Sequence, residues 1–205
     1  MGDKFFPVQD TGEKAELQAR LESHLPVGYK DLSFCRVLQG SCNFYPGWTC
    51  VHVHKEENVT KSPVVLFFKE GEQVVTLDWQ AGTILKFNQK APLVLSIHDI
   101  THYVQFFFGN TRAKDGRMQI VSMYDELKWR EEPAGTIKKA LNPLIRPPYL
   151  IAWDEDSHAY EVGAHILFQN NLFECRLLVN KIGQIDVTDR ILQVEDMPIL
   201  DPLVE

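Results

Sequence analysis

Cys50, His52, His54 and Glu56 recur at every second position of the stretch Trp48-Thr-Cys-Val-His-Val-His-Lys-Glu56. Successive side chains of a β-strand point to opposite faces, so these four share one face and Val51 and Val53 take the other. Thiolate, neutral imidazole and carboxylate are ligands for a divalent transition metal. Two imidazoles two residues apart on a strand can reach the same ion. A half-buried antiparallel strand gives the same alternation with no metal at all: the valines face a core and the polar side chains meet solvent. The metal reading turns Cys50 and His52 inward. The plain reading turns them outward.

The pair His52-Val-His54 resembles the H-x-H of the cupin family. There a glycine precedes the pair, an acidic residue follows it, and a further histidine comes from a later strand. Here Gly47 stands four intervening residues before His52, where the family has five. Glu56 and Glu57 come just before the family's acidic position, which is Asn58 or Val59 in this chain. Pro92 and His98 take the place of the second motif without its glycine, and His102 is the other candidate for the later histidine. The resemblance covers residues 47–102. It implies a metal-dependent enzyme holding its ion with His52, His54, Glu56 and His98.

Three further groups could do chemistry or binding. Glu161, His165, Glu174 and Arg176 share one face of two adjacent strands, opposite Tyr160, Val162, Ala164, Ile166 and Phe168. Carboxylate, imidazole and guanidinium can support acid–base work or hold an anion; on a solvated sheet they more commonly form cross-strand ion pairs. Phe44, Tyr45 and Trp48 surround a turn, and Phe106, Phe107 and Phe108 are consecutive. Read as a strand, that run puts rings on both faces, and one face needs a cover. Phe44, Tyr45, Trp48 and Phe107 are therefore candidate contacts for a small apolar ligand or a protein partner. Arg112, Lys114 and Arg117 occupy one turn, as a solvated tip or an anion contact, without the spacing of a phosphate loop.

The elements that must position these residues follow from periodicity. Asp10-Thr-Gly-Glu13 spells a helix N-terminus, and Leu17, Leu21 and Leu25 continue it at helical spacing until Pro26, which predicts a helix over 11–25. From residue 34 the period becomes two. Strands are expected over 34–38, 48–56, 63–69, 73–79, 82–87, 93–97, 103–108 and 118–124, with the last two as partners and 63–69 buried on both sides. A helical cross-over fills 125–148. Strands over 149–153, 159–169, 172–180 and 184–187 form an antiparallel meander, with Asn170-Asn171 as a hairpin loop. About ten strands at short spacing predict a mainly β, α+β fold. It is an antiparallel β-barrel or sandwich with an N-terminal helix and a short mid-chain helix. A single domain over 1–205 is expected, with 1–9 and 195–205 as arms.

The chain has 205 residues, 44% hydrophobic and 24% charged, enough to build a core without metal or disulfide. Its net charge of −7 gives no general attraction to nucleic acid or to an anionic membrane. The four cysteines, at 35, 42, 50 and 175, form no C-x-x-C pair, which suits a reducing, cytoplasmic setting. No apolar run nears the roughly 20 residues of a membrane span, and the first residues lack a signal-peptide core. Nucleotide loops and the serine-hydrolase elbow are also missing. The expectation is a non-catalytic binding or assembly module, a β-barrel holding a small apolar ligand or a protein partner. Homo-oligomerisation through the apolar terminal arm is an option, and the cupin-like metal enzyme is the alternative.

Overall fold

The computed structural model describes residues 4–55, 63–114, 116–131 and 133–200. It is mixed α/β and mostly sheet, with ten strands and four α-helices among the described residues. The chain divides into two compact units. One holds the residues up to 78 together with 89–94, and the other holds 79–88 and 95–200.

In the first unit, β1 (Lys4–Pro7), β2 (Cys35–Ser41), β3 (Thr49–Lys55), β4 (Val64–Phe68) and β5 (Val75–Thr76) form an antiparallel sheet in that order. Between β1 and β2 lies the helix α1 (Thr11–Leu21). Asp10 caps it, its carboxylate accepting from the N–H groups of Gly12 at 2.8 Å and Glu13 at 3.0 Å, donors that a helix start leaves without partners. The helix stops at Leu21, short of the expected residue 25. Leu25 precedes a proline and is extended, with ψ of 138°, the bias that proline imposes on its predecessor. Three 3₁₀ turns carry the chain on to β2.

Leu17, Leu21 and Leu25 pack on Val37, Val51, Val53 and Leu66 in one apolar cluster. The register pairs Val53 with Val37, Val51 with Leu66, and His52 with Leu38 and Val65. The valines of β3 therefore face α1. The other face is covered as well: Cys50 and Phe67 have no exposure and Val65 only 3%. Cysteine is buried as readily as valine, so alternation in β3 concealed burial on both sides.

The second unit contains α2 (Ala81–Lys90) up to Asn88, then α3 (Ile100–Gly109), β6 (Gln119–Ile120), α4 (Gly135–Leu141), β7 (Tyr149–Asp154), β8 (Ala159–Phe168), β9 (Asn171–Asn180) and β10 (Ile185–Val194). Its sheet is antiparallel in the order β10-β9-β8-β6, with β7 also paired to β8. The β8–β9 loop is Gln169-Asn170, both at positive φ (48° and 63°), the twist a two-residue hairpin needs. It falls one residue earlier than expected. α3 lies against β7 and β8. The Tyr103 hydroxyl donates to the Gly183 carbonyl at 2.7 Å and accepts from Asn88 Nδ2 at 2.8 Å, while Asn88 also donates to the Ile182 carbonyl. Burial raises the pKa of this phenol well above its ordinary value and keeps it a neutral donor. Met197 and Ile199 sit in a cluster with Leu141, Ile145 and Leu172, so the chain up to residue 200 packs on its own unit.

Several sequence expectations are corrected. Residues 82–87 and 103–108 are helical rather than strands, and 93–97 form no strand. The buried residues of α3 are Ile100, Tyr103, Val104, Phe107 and Phe108, a helical stripe at i, i+3, i+4, i+7 and i+8. Only Gln119 and Ile120 of the 118–124 segment are in a strand, and they pair with β8 rather than with 103–108. Among the described residues neither sheet closes into a barrel.

Candidate functional site

α1 does not cover the whole face of the first sheet. Beside it lies an open groove of about 700 Å³. Phe6 of β1, Val8, Leu17 of α1 and Phe68 of β4 give it apolar walls, and Gln39 and Thr49 add small polar contacts from β2 and β3. Phe6 is 64% exposed, unusual for a phenylalanine in a strand. Its register partner is Gln39, which places the ring on the same face as Val51 and Leu66.

The rim of the groove comes from α1. Glu13 and Glu16 line it three residues apart, on one side of the helix. Among the described residues neither carboxylate has an ion-pair or hydrogen-bond partner. Arg20, one turn further on, is engaged: its guanidinium lies 4.2 Å from the centroid of the Phe68 ring and donates to the Lys69 carbonyl at 3.0 Å. The groove thus combines an aromatic and aliphatic floor with two carboxylates that have no ion-pair partner among the described residues and one guanidinium, that of Arg20.

The histidine strand has a different character. His52 is half-buried, its ring 4.5 Å from that of Phe5. Burial, and secondarily the charge of His54, depresses its pKa to about 4. His54 is also depressed, by burial and then by Arg36, its cross-strand neighbour. Both imidazoles are neutral at pH 7. Among the described residues no three of His, Cys, Asp and Glu stand together as a metal site. Glu56 lies outside the described residues. His98 is exposed in the second unit, in the turn before α3, and His102 is half-buried in α3.

Phe44, Tyr45 and Trp48 are 0–3% exposed and Phe107 is 8% exposed. Phe44 and Tyr45 meet edge-on at 4.9 Å, and Tyr45 meets Phe67 at 5.3 Å. Trp48 lies under the Lys90 ammonium at 5.6 Å, and Phe107 belongs to the buried stripe of α3. Of the three basic turn residues, Arg112 stacks on Trp79 at 4.6 Å, Arg117 donates to the Gly109 carbonyl at 3.4 Å, and Lys114 is exposed.

The second sheet does gather Glu161, His165, Glu174 and Arg176 on one face. Arg176 pairs with Glu161 at 2.9 Å. Glu174 takes Arg146 at 3.3 Å and Gln193 at 3.3 Å. Arg146 also donates to the Tyr149 hydroxyl at 2.6 Å. The Tyr149 ring lies over Gly163, its register partner, where a Cβ would collide with it. His165 is 3% exposed and its Nδ1 has no hydrogen-bond partner. Burial holds its pKa down, against the upward pull of the Arg146 backbone and Glu174. The two glutamates and two arginines are paired, with Arg146, Tyr149 and Gln193 as members the sequence did not reveal, and His165 lies buried among them.

The groove residues were missed by sequence reasoning. The available signal was Phe5-Phe6 beside Glu13 and Glu16, but the phenylalanines fell in a segment read as an arm. Comparison with protein-family models, with curated proteins and with solved structures finds no match for this chain.

Proposed function

We propose that this chain is a non-catalytic binding module whose seat is the groove between α1 and the first sheet, and that its ligand has an apolar body and a cationic end. The observation that carries the reading is the unpaired Glu13 and Glu16 beside the walls of Phe6, Leu17 and Phe68. A volume of about 700 Å³ falls within the usual range of small-molecule sites, roughly 300–1,000 Å³. Carboxylates at the edge of an apolar recess act in a lower dielectric than bulk water, which strengthens their attraction for a cation. The seat is a helix-on-sheet recess rather than the interior of a barrel.

Calorimetric titration with decylamine, decanol and decanoate tests this. The amine is expected to bind at least about tenfold more tightly than the carboxylate, a difference of about 1.4 kcal/mol. The double variant Glu13→Gln, Glu16→Gln is expected to remove that preference while still binding decanol. Equal affinity for all three probes, or a preference that survives in the double variant, would count against the reading. Glu161→Gln, which removes a carboxylate away from the groove, separates the groove from the general pull of a net charge of −7.

A further inference from the structure

The 3₁₀ turns after α1 present an edge that complements the groove. Val27 is 88% exposed and Phe34 is 73% exposed. Leu32, with 0% exposure, anchors the turn that carries Phe34, and Leu25, with 5%, is buried two residues before Val27. Asp31 caps the third turn, its carboxylate accepting from the Ser33 N–H at 2.9 Å and from the Ser33 hydroxyl. Val27 and Phe34 line one recess together, and contiguous exposed apolar surface is what marks a contact.

The charges around this edge are positive. Lys30 and Lys55 line a shallow recess of about 390 Å³ together with Val27 and Phe34. Lys14 donates to the carbonyl of Cys35, which lines the same recess, at 3.1 Å. The Lys55 ammonium sits 5.2 Å from the Tyr29 ring centroid. Among the described residues the recess lining holds one carboxylate, that of Asp31, which accepts from Ser33. Lys30 and Lys55, beside two protruding apolar side chains, outnumber Asp31 in this recess, whereas in the groove Glu13 and Glu16 outnumber Arg20 beside apolar walls. Opposite charge and opposite shape occur on one chain, and α1 contributes residues to both surfaces.

We propose that the groove receives a second copy of this chain, which inserts Val27 and Phe34 over Phe6 and Phe68 and sets Lys30 and Lys55 against Glu13 and Glu16. This rests on the groove's preference for an apolar, cationic ligand and names that ligand. The contact is heterologous, since edge and groove are different surfaces. It does not close at two copies but continues as a ring or an open chain.

Sedimentation of the full chain from roughly 10 µM to roughly 1 mM tests this, with two charge-reversed variants. In Glu13→Lys, Glu16→Lys the groove becomes basic like the edge. In Lys30→Glu, Lys55→Glu the edge becomes acidic like the groove. The wild type is expected to grow with concentration beyond a dimer. Each variant alone is expected to associate at least about tenfold more weakly, and an equal mixture of the two to regain association. Phe34→Ser, which leaves every charge in place, is expected to weaken association without changing decylamine affinity. A wild type that stays monomeric throughout, variants that associate unchanged, or a mixture that restores nothing would each overturn the proposal. A monomeric chain that still prefers decylamine overturns this contact and leaves the groove reading standing. A chain that shows neither behaviour overturns both.

Discussion

Two surfaces of this chain carry similar side chains and satisfy them differently. On the second sheet, Glu161 meets Arg176 and Glu174 meets Arg146, and the aromatic Tyr149 is tied to the same guanidinium. On α1, the Glu13 and Glu16 carboxylates have no ion-pair or hydrogen-bond partner among the described residues, and beside them the Phe6 ring is exposed while Arg20 lies over that of Phe68. A sheet face whose charges cancel locally is already a finished surface, since exposed pairs contribute little and attract little. Unpaired carboxylates over an apolar recess leave both charge and apolar area available to a ligand. Local compensation of charge, more than the presence of charged residues, separates a structural face from a binding face.

The strongest way to break this contrast is to remove the platform under the groove. Leu21 has no exposure and pins the C-terminal end of α1 to the sheet. Leu21→Ala is expected to cost roughly 2–5 kcal/mol through lost burial and the cavity left behind. Amide hydrogen exchange should show the loss in β2, β3 and β4, with β8 and β9 retaining protection. Equal loss in both sheets would show that they melt together and would end the separation on which the comparison rests.

Acid sharpens the contrast from another side, because each unit holds a histidine depressed by burial. His52 in the first unit falls to about 4, and His165 in the second is shifted in the same direction. The unfolded chain binds a proton at each site near the ordinary value of about 6.5, whereas the folded chain does not. Stability is therefore full above about pH 6.5 and falls as the pH drops toward about 4, by on the order of 2–3 kcal/mol for His52. His52→Leu, set among Phe5, Leu38 and Val65, should flatten that fall. Unfolding measured by denaturant at pH 7 and pH 4.5 decides it. An unchanged pH dependence in the variant would assign the acid sensitivity elsewhere.

Some of this architecture was open to inspection in the sequence. The Asp10 cap and the Leu17, Leu21 and Leu25 spacing named α1, and the apolar run 64–68 named a strand buried on both faces. The antiparallel β8–β9 hairpin was legible to within one residue of its loop. α3 was not. Phe106, Phe107 and Phe108 favour strands by propensity, and a reading begun at Tyr103 omits Ile100, the first residue of the buried helical stripe. The groove was harder still, because Phe6, Glu13 and Phe68 come from three separate elements and only the fold brings them together. The pairing of Arg146 with Glu174 is hidden for the same reason.

The smallest effects separate the two surfaces most cleanly. Glu161→Gln weakens an ion pair whose Arg176 side chain is 57% exposed, and its expected cost is within about 1 kcal/mol. It should leave decylamine affinity unchanged. Glu16→Gln removes a carboxylate that has no partner in the fold, so stability should stay within about 0.5 kcal/mol of the wild type, while decylamine binding weakens severalfold. The two substitutions are chemically identical, and each changes the net charge by the same amount. General attraction between the chain and an amine would make their binding effects equal. A paired and an unpaired carboxylate predict a crossed result, with stability responding at residue 161 and binding responding at residue 16. Thermal unfolding and titration on the same two proteins provide both readings. If binding responds equally to the two changes, Glu16 holds no special place in the groove and local charge compensation does not distinguish the surfaces.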